Sequence, residues 1–167
     1  MGLRVVIVED RELIAAKIRR ALVDAGYDVI GKAPTVYAAA LQLHEAERLD
    51  AAVLDIDLRG EPVYPVAELL DARWIPFIFL TGYGAFAVDD RWSHVHRVEK
   101  PFETASLLRA LDDAIRGVAA SGGRSAKTRP SAQTRLALEM IRDTRDAITE
   151  ARAAREMQAN ASDRPPR

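Results

Sequence analysis

Apolar residues follow two alternating rhythms along the first 120 positions. Short, continuous, β-branched runs close on polar residues, and longer stretches with apolar positions three and four apart follow them. Leu3 to Val8 is the first run, the pattern of a strand buried on both faces of a parallel sheet. Leu13, Ile14, Ile18, Leu22 and Ala25 then share one helical face, and Gly26 stops the helix. Tyr27 to Gly31 reads as a second strand, and Thr35 caps a helix whose apolar face is Val36, Ala39, Ala40 and Leu43. Ala51 to Ile56 is the third strand, followed by a loop with Gly60 and a helix carrying Val63, Val66, Ala67 and Leu70. Pro76 to Leu80 is the fourth, closed by Thr81-Gly82 and followed by a short Ala-rich helix. His94 to Val98 is the fifth, and a last helix from about Thr104 puts Leu107, Leu108, Leu111, Ala114, Ile115 and Val118 on one face.

Five strands alternating with five helices predict a doubly wound α/β fold with a parallel sheet covered on both sides, because each parallel pair needs a crossover. Functional groups in such folds gather at the carboxyl ends of the strands, near the point where strand order reverses. Reading those ends gives Glu9-Asp10 after the first strand, Asp55 after the third, Thr81 after the fourth and Lys100 after the fifth. Carboxylates converging on one rim repel one another unless a hard cation sits among them, and an oxygen-only set suits Mg²⁺. Lys100 offers a point charge and Thr81 a hydroxyl, the groups that hold the oxygens of a transferring phosphoryl group. Asp55 is then the nucleophile of an aspartyl-phosphate chemistry.

The stretches Val-Val-Ile-Val-Glu9-Asp10, Ala-Val-Leu-Asp55-Ile-Asp-Leu, Phe-Ile-Phe-Leu-Thr81-Gly and Lys100-Pro101-Phe102 resemble the receiver domains of two-component response regulators, over residues 3 to about 119. The resemblance implies a flavodoxin-like (βα)5 fold and phosphorylation of Asp55 by a sensor histidine kinase. It also implies Mg²⁺ held by Asp10 and Asp55, by Glu9 through water and by the backbone carbonyl of Asp57, with Thr81 and Lys100 on the phosphoryl oxygens. Many receivers carry an aromatic switch three positions before the lysine, where this chain has Arg97. Phe79-Leu80-Thr81-Gly82-Tyr83 is instead similar to the F-A-T-G-Y motif of an atypical group common in alphaproteobacteria, which points to Tyr83 as the switch. Arg59 stands where that loop often has a proline, and Asp57 is placed to affect the lifetime of the phosphoryl group. A haloacid-dehalogenase-like phosphohydrolase is the rival reading, with Asp55 as nucleophile and Asp57, Thr81, Lys100 and Asp112-Asp113 as its set. Its acid pair should end a strand, whereas Asp112-Asp113 falls inside the last periodic helix, and Glu9-Asp10 would have no role.

Composition changes the picture mainly beyond residue 120. Residues 1–120 carry 14 Lys+Arg and 19 Asp+Glu, while 121–167 carry 10 and 6, within a total charge of −1. The expected organisation is a receiver domain over 1–120, a flexible Ser/Gly/Pro linker over 121–130, a helix over 131–158 capped by Ser131 or Thr134, and a disordered tail over 159–167. That helix has a thin stripe through Leu136, Met140, Ile141, Ala147, Ile148, Ala151 and Ala154. It must pack on the receiver, on a second copy as a homodimer, or on a downstream or phosphotransfer protein. Its arginines alternate with acids and one helix is too small for a helix-turn-helix, so no nucleic-acid-binding output is expected. Cysteine is absent, and His44, His94 and His96 lack metal-ligand spacing. No run reaches a membrane span, and Arg4 followed by Glu9-Asp10 leaves no room for a signal-peptide apolar region, so a cytoplasmic, non-membrane protein is expected, a phosphoacceptor rather than an enzyme.

Overall fold

Runs with no polar face leave a strand nowhere to lie but the interior. In the computed structural model, which describes residues 2–82 and 89–120 together with Ala132, Thr134, Arg135, Leu136 and Glu139, β1 (Arg4–Val8), β3 (Ala51–Asp55) and β6 (Phe77–Thr81) occupy the middle of the sheet. Every residue of β3 and β6 is buried. With β2 (Asp28–Ala33) and β7 (Arg97–Glu99) outside them, the sheet has the order β2-β1-β3-β6-β7, and every pairing is parallel. Strand alternation divides the core into two layers. Val6, Val8, Ala52, Leu54, Phe77 and Phe79 face α2 (Val36–Glu45) and α3 (Tyr64–Ala72). Val5, Ile7, Ala51, Val53, Ile78 and Leu80 face α1 (Glu12–Asp24) and α4 (Thr104–Ala120). The flavodoxin-like, doubly wound fold expected from the sequence is the one observed, and strand order reverses between β1 and β3.

Local signals hold where chemistry is strong. Thr35 accepts a hydrogen bond from the Ala38 N–H at 3.1 Å, as an N-cap should. Gly26 follows α1 with φ of +89°, a conformation that costs glycine little.

Expectations at several elements need correction. Leu13 is 87% exposed, and the inward face of α1 is Ala15, Ile18, Ala21 and Leu22, because the phase of the helix is set by the residues that reach β1 and β3. Ala25 is an exposed cap residue and not part of that face. The second strand starts at Asp28 and runs on to Ala33, following the register of β1 through a shift between Val5 and Val6. The loop after the third strand is a hairpin of β4 (Asp57–Leu58) and β5 (Glu61–Pro62). The fifth strand is only Arg97–Glu99, since a 3₁₀ turn at Asp90–Trp92 takes the preceding chain inward to bury Trp92.

Trp92 is 1% exposed and packs edge-on against Phe77 and Phe79. Beside it, the carboxylate of Glu68 on α3, also 1% exposed, pairs with Arg91 at 3.1 Å and accepts the hydroxyl proton of the buried Thr134. Thr134 is therefore a packing contact within a helical stretch and not a cap, and Leu136, on the stripe expected to meet the receiver, a second copy or another protein, is exposed on the single chain. The remaining part of the 131–158 helix, the 121–130 linker, the 159–167 tail and the short Ala-rich helix expected after Gly82 lie outside the described residues, apart from the 3₁₀ turn. Among the described residues no helix is long and apolar enough to cross a membrane.

Tyr27 donates its hydroxyl proton to Asp112, and burial, with that carboxylate beside it, pushes the phenol up to about 12. A group whose folded pKa exceeds its unfolded value stabilises fully below the unfolded pKa and loses that contribution as pH rises through the folded one. Thermal unfolding between pH 9 and about 12 should therefore fall more steeply for the wild type than for Tyr27→Phe. Parallel profiles would show that the pair contributes nothing.

Candidate functional site

Four strand ends come level on one rim. Register pairs Val8 with Leu54, Asp55 with Leu80 and Thr81 with Glu99, so the residues that close β1, β3, β6 and β7 share one edge of the sheet. Backbone bonds fix the next residues: the Glu9 N–H reaches the Ala33 carbonyl at 3.0 Å and the Lys100 N–H the Thr81 carbonyl at 2.7 Å. The Lys100–Pro101 peptide is cis.

The sequence-predicted side chains meet there. The Lys100 ammonium donates to Glu9 Oε2 at 2.6 Å and lies 2.7 Å from Asp55 Oδ2. Side-chain exposure is 11% for Lys100, 0% for Glu9 and 7% for Asp55, so this is an ion pair taken out of water. Glu9 Oε1 also accepts the Arg11 N–H at 3.0 Å. Burial raises the pKa of Glu9, opposed by the hydrogen bonds from Lys100 and Arg11, with the nearby Asp55 charge adding to the rise. Thr81 is buried at the end of β6. Glu9, Asp10 and Asp55 each bring one carboxylate oxygen within 4.8 Å of the others, a group that could hold a metal ion.

Two residues of the hairpin take roles that sequence reading did not assign. Asp57 Oδ1 accepts the Gly60 N–H at 2.6 Å, so its side chain, though exposed, braces the turn. Arg59 and Gly60 form a two-residue turn with φ of +58° and +89°, the positive values that a tight hairpin demands. From that turn Arg59 Nε reaches Asp10 Oδ2 at 3.3 Å. Gly60 signalled a turn and Arg59 stood out only as a departure from the usual proline, since arginine is an unusual residue in a left-handed turn. Lys17, on the exposed side of α1, was also missed: its ammonium donates to the Phe102 carbonyl at 2.6 Å and lies over the Phe102 ring, tying α1 to the segment after Lys100. Tyr83 lies outside the described residues.

Asp112-Asp113, the acid pair that the hydrolase reading requires, is inside α4, and Asp112 is bonded to Tyr27 at the entry to β2, on the opposite rim. The constellation belongs to the first acid pair and not to the second.

Comparison with known proteins bears on the family. SdrG from Sphingomonas melonis Fr1 is 36% identical, superposes with a TM-score of 0.63, and the match covers 69% of this chain and 97% of SdrG. The chain belongs to the response regulator receiver domains. The receiver domain of the response regulator PhyR from Erythrobacter litoralis is 26% identical over 70% of this chain and 91% of that one, with a TM-score of 0.60. SdrG and PhyR represent the atypical alphaproteobacterial group that the Phe79-to-Tyr83 stretch resembles. The transcriptional regulatory protein PdtaR of Mycobacterium tuberculosis is 26% identical over 171 aligned positions, 96% of this receiver chain and 83% of PdtaR. No family model matches the chain.

Proposed function

We propose that this receiver is a phosphorylation switch or phosphorelay component in which Asp55 accepts a phosphoryl group from a sensor histidine kinase. The observation that carries the reading is the bridge of Lys100 to both Glu9 and Asp55, with Asp10 alongside, at the switch point of the sheet. Three carboxylates against the charges of Lys100 and Arg59 leave the cluster one negative charge in excess, and an all-oxygen donor set fits a hard divalent cation. Asp10 and Asp55 are assigned as direct ligands, Glu9 as one acting through water, and the Asp57 carbonyl as a further oxygen. Bound Mg²⁺ would neutralise the negative charge of the incoming phosphoryl group.

The chain's own groups do the rest. A carboxylate oxygen of Asp55 attacks phosphorus, the bond from phosphorus to the donor breaks, and the donor group departs with the electron pair. Lys100 is already in place to neutralise charge on the phosphoryl oxygens, and Thr81 supplies a hydroxyl donor. Water later cleaves the acyl phosphate and restores the carboxylate. Tyr83 is assigned as the reader of the phosphorylated state, and the segment after residue 120 as a linker and helix that meet a downstream protein or a second copy. No nucleic-acid-binding role, membrane role or substrate turnover is assigned, and the cytoplasm is the compartment that suits a kinase partner.

Incubation with Mg²⁺ and acetyl phosphate, followed by intact-mass measurement, tests this reading. A single phosphate adduct is expected in the wild type and none in Asp55→Ala or in the presence of a chelator. Repeated turnover of a soluble phosphate ester without an adduct would replace the receiver reading with a hydrolase.

A further inference from the structure

We propose that Arg59 is a counter-cation built into the site, which holds Asp10 until a divalent cation displaces it and so sets the cation affinity. The inference rests on the cation reading above. Asp10 is fixed and sheltered, with its side chain 11% exposed, whereas the guanidinium that meets it is 73% exposed and attached to a hairpin tip 49 residues further along the chain.

An exposed arginine meeting an acid is usually a chance of the surface and contributes little. Here the backbone has been shaped for the meeting. Arg59 sits at φ +58°, where a residue with a Cβ is uncommon, and the turn is closed by the bond from the Gly60 N–H to Asp57 Oδ1 at 2.6 Å. β4 and β5 hold the two arms of the hairpin together. The side chain therefore projects from a braced position and returns over the open side of the acid cluster, while Lys100 covers its buried side through Glu9 and Asp55. The two cations divide the three carboxylates between them. Lys100 is enclosed and stays; Arg59 has its charged end in water and leaves at little cost. Once Asp10 engages a divalent cation, the like charges of cation and guanidinium move Arg59 away from that carboxylate.

Two measurements on the whole chain test this, with Mg²⁺ alone as the probe. Titration calorimetry should give a dissociation constant about two- to five-fold lower for Arg59→Gln than for the wild type, in keeping with the strength of exposed ion pairs, and the difference should shrink as salt is raised. Thermal unfolding without Mg²⁺ should be nearly the same for both proteins, which separates competition from a folding defect. Nitrogen-15 NMR of the Arg59 Nε–H should show its signal shifting on Mg²⁺ addition, and the Asp10→Asn protein should already show the shifted position without Mg²⁺. Equal affinities together with an Nε–H signal indifferent to Mg²⁺ would overturn the inference while leaving the cation site intact. A wild type that binds no Mg²⁺ at all would overturn the cation reading beneath it, and this inference with it.

Discussion

Lys100→Met is expected to lose on the order of 3–5 kcal/mol of stability at neutral pH when divalent cations are chelated, because it leaves buried carboxylates without their cation. Glu9 is 0% and Asp55 7% exposed at the side chain, and Lys100 bonds to both. Burial already raises the pKa of Glu9 with the lysine in place, so its removal pushes that carboxyl further towards the neutral form. Two conditions should return part of the loss. Mg²⁺ stabilises the folded state by mass action if it binds there and not to the unfolded chain, and mild acid neutralises Glu9. Urea unfolding of both proteins, with chelator and with Mg²⁺, measures this directly. A Lys100→Met protein as stable as the wild type in chelator would show that the carboxylates are satisfied without it.

Trp92→Ala should cost about 3–5 kcal/mol, the range for deleting a large buried aromatic side chain. Trp92 fills the space between the sheet and the 3₁₀ turn, in edge-on contact with Phe77 at 5.7 Å and Phe79 at 6.3 Å between ring centroids. Its indole Nε1 is buried with no hydrogen-bond partner among the described residues. A buried unpaired donor carries a desolvation penalty that phenylalanine does not. Trp92→Phe is therefore expected to lose well under half of what alanine loses, despite the smaller ring. Denaturant midpoints of the three proteins check the order, and equal losses for Phe and Ala would show that indole shape, not aromatic burial, holds this layer.

The sheet and the rim were legible in the sequence because their signals have few competitors. Runs such as Val5 to Val8 and Phe77 to Leu80 are too short for helices and too apolar for surface strands, and their order implies crossovers. Once the strand ends were placed, Glu9, Asp10, Asp55, Thr81 and Lys100 followed from where each strand stops. What stayed hidden depends on partners distant in sequence. Nothing near Glu68 announces that Arg91 and Thr134 will enclose its charge. The alternation from His94 to Val98 looks like a strand, yet pairing with β6 captures only Arg97–Glu99, since the turn that buries Trp92 uses the residues before it. Leu13 reads as core until the packing of Ile18 and Leu22 fixes the rotation of the helix. Arg59 was visible as a departure, but its reach to Asp10 depends on a turn conformation that propensity argues against.

The two outermost strands of the sheet, β2 and β7, bear on how the protein behaves when crowded. β7 is three residues long, with charged Arg97 and Glu99 on either side of its single buried valine, and β2 carries Asp28 and Lys32. Margins that are short, as at β7, or interrupted by charge, as at β2, are poor templates for a strand from another molecule, since adding one would take charged side chains out of water with little apolar contact in return. Growth of the sheet from one molecule into the next, the first step toward fibrous aggregates, is thereby discouraged at both sides.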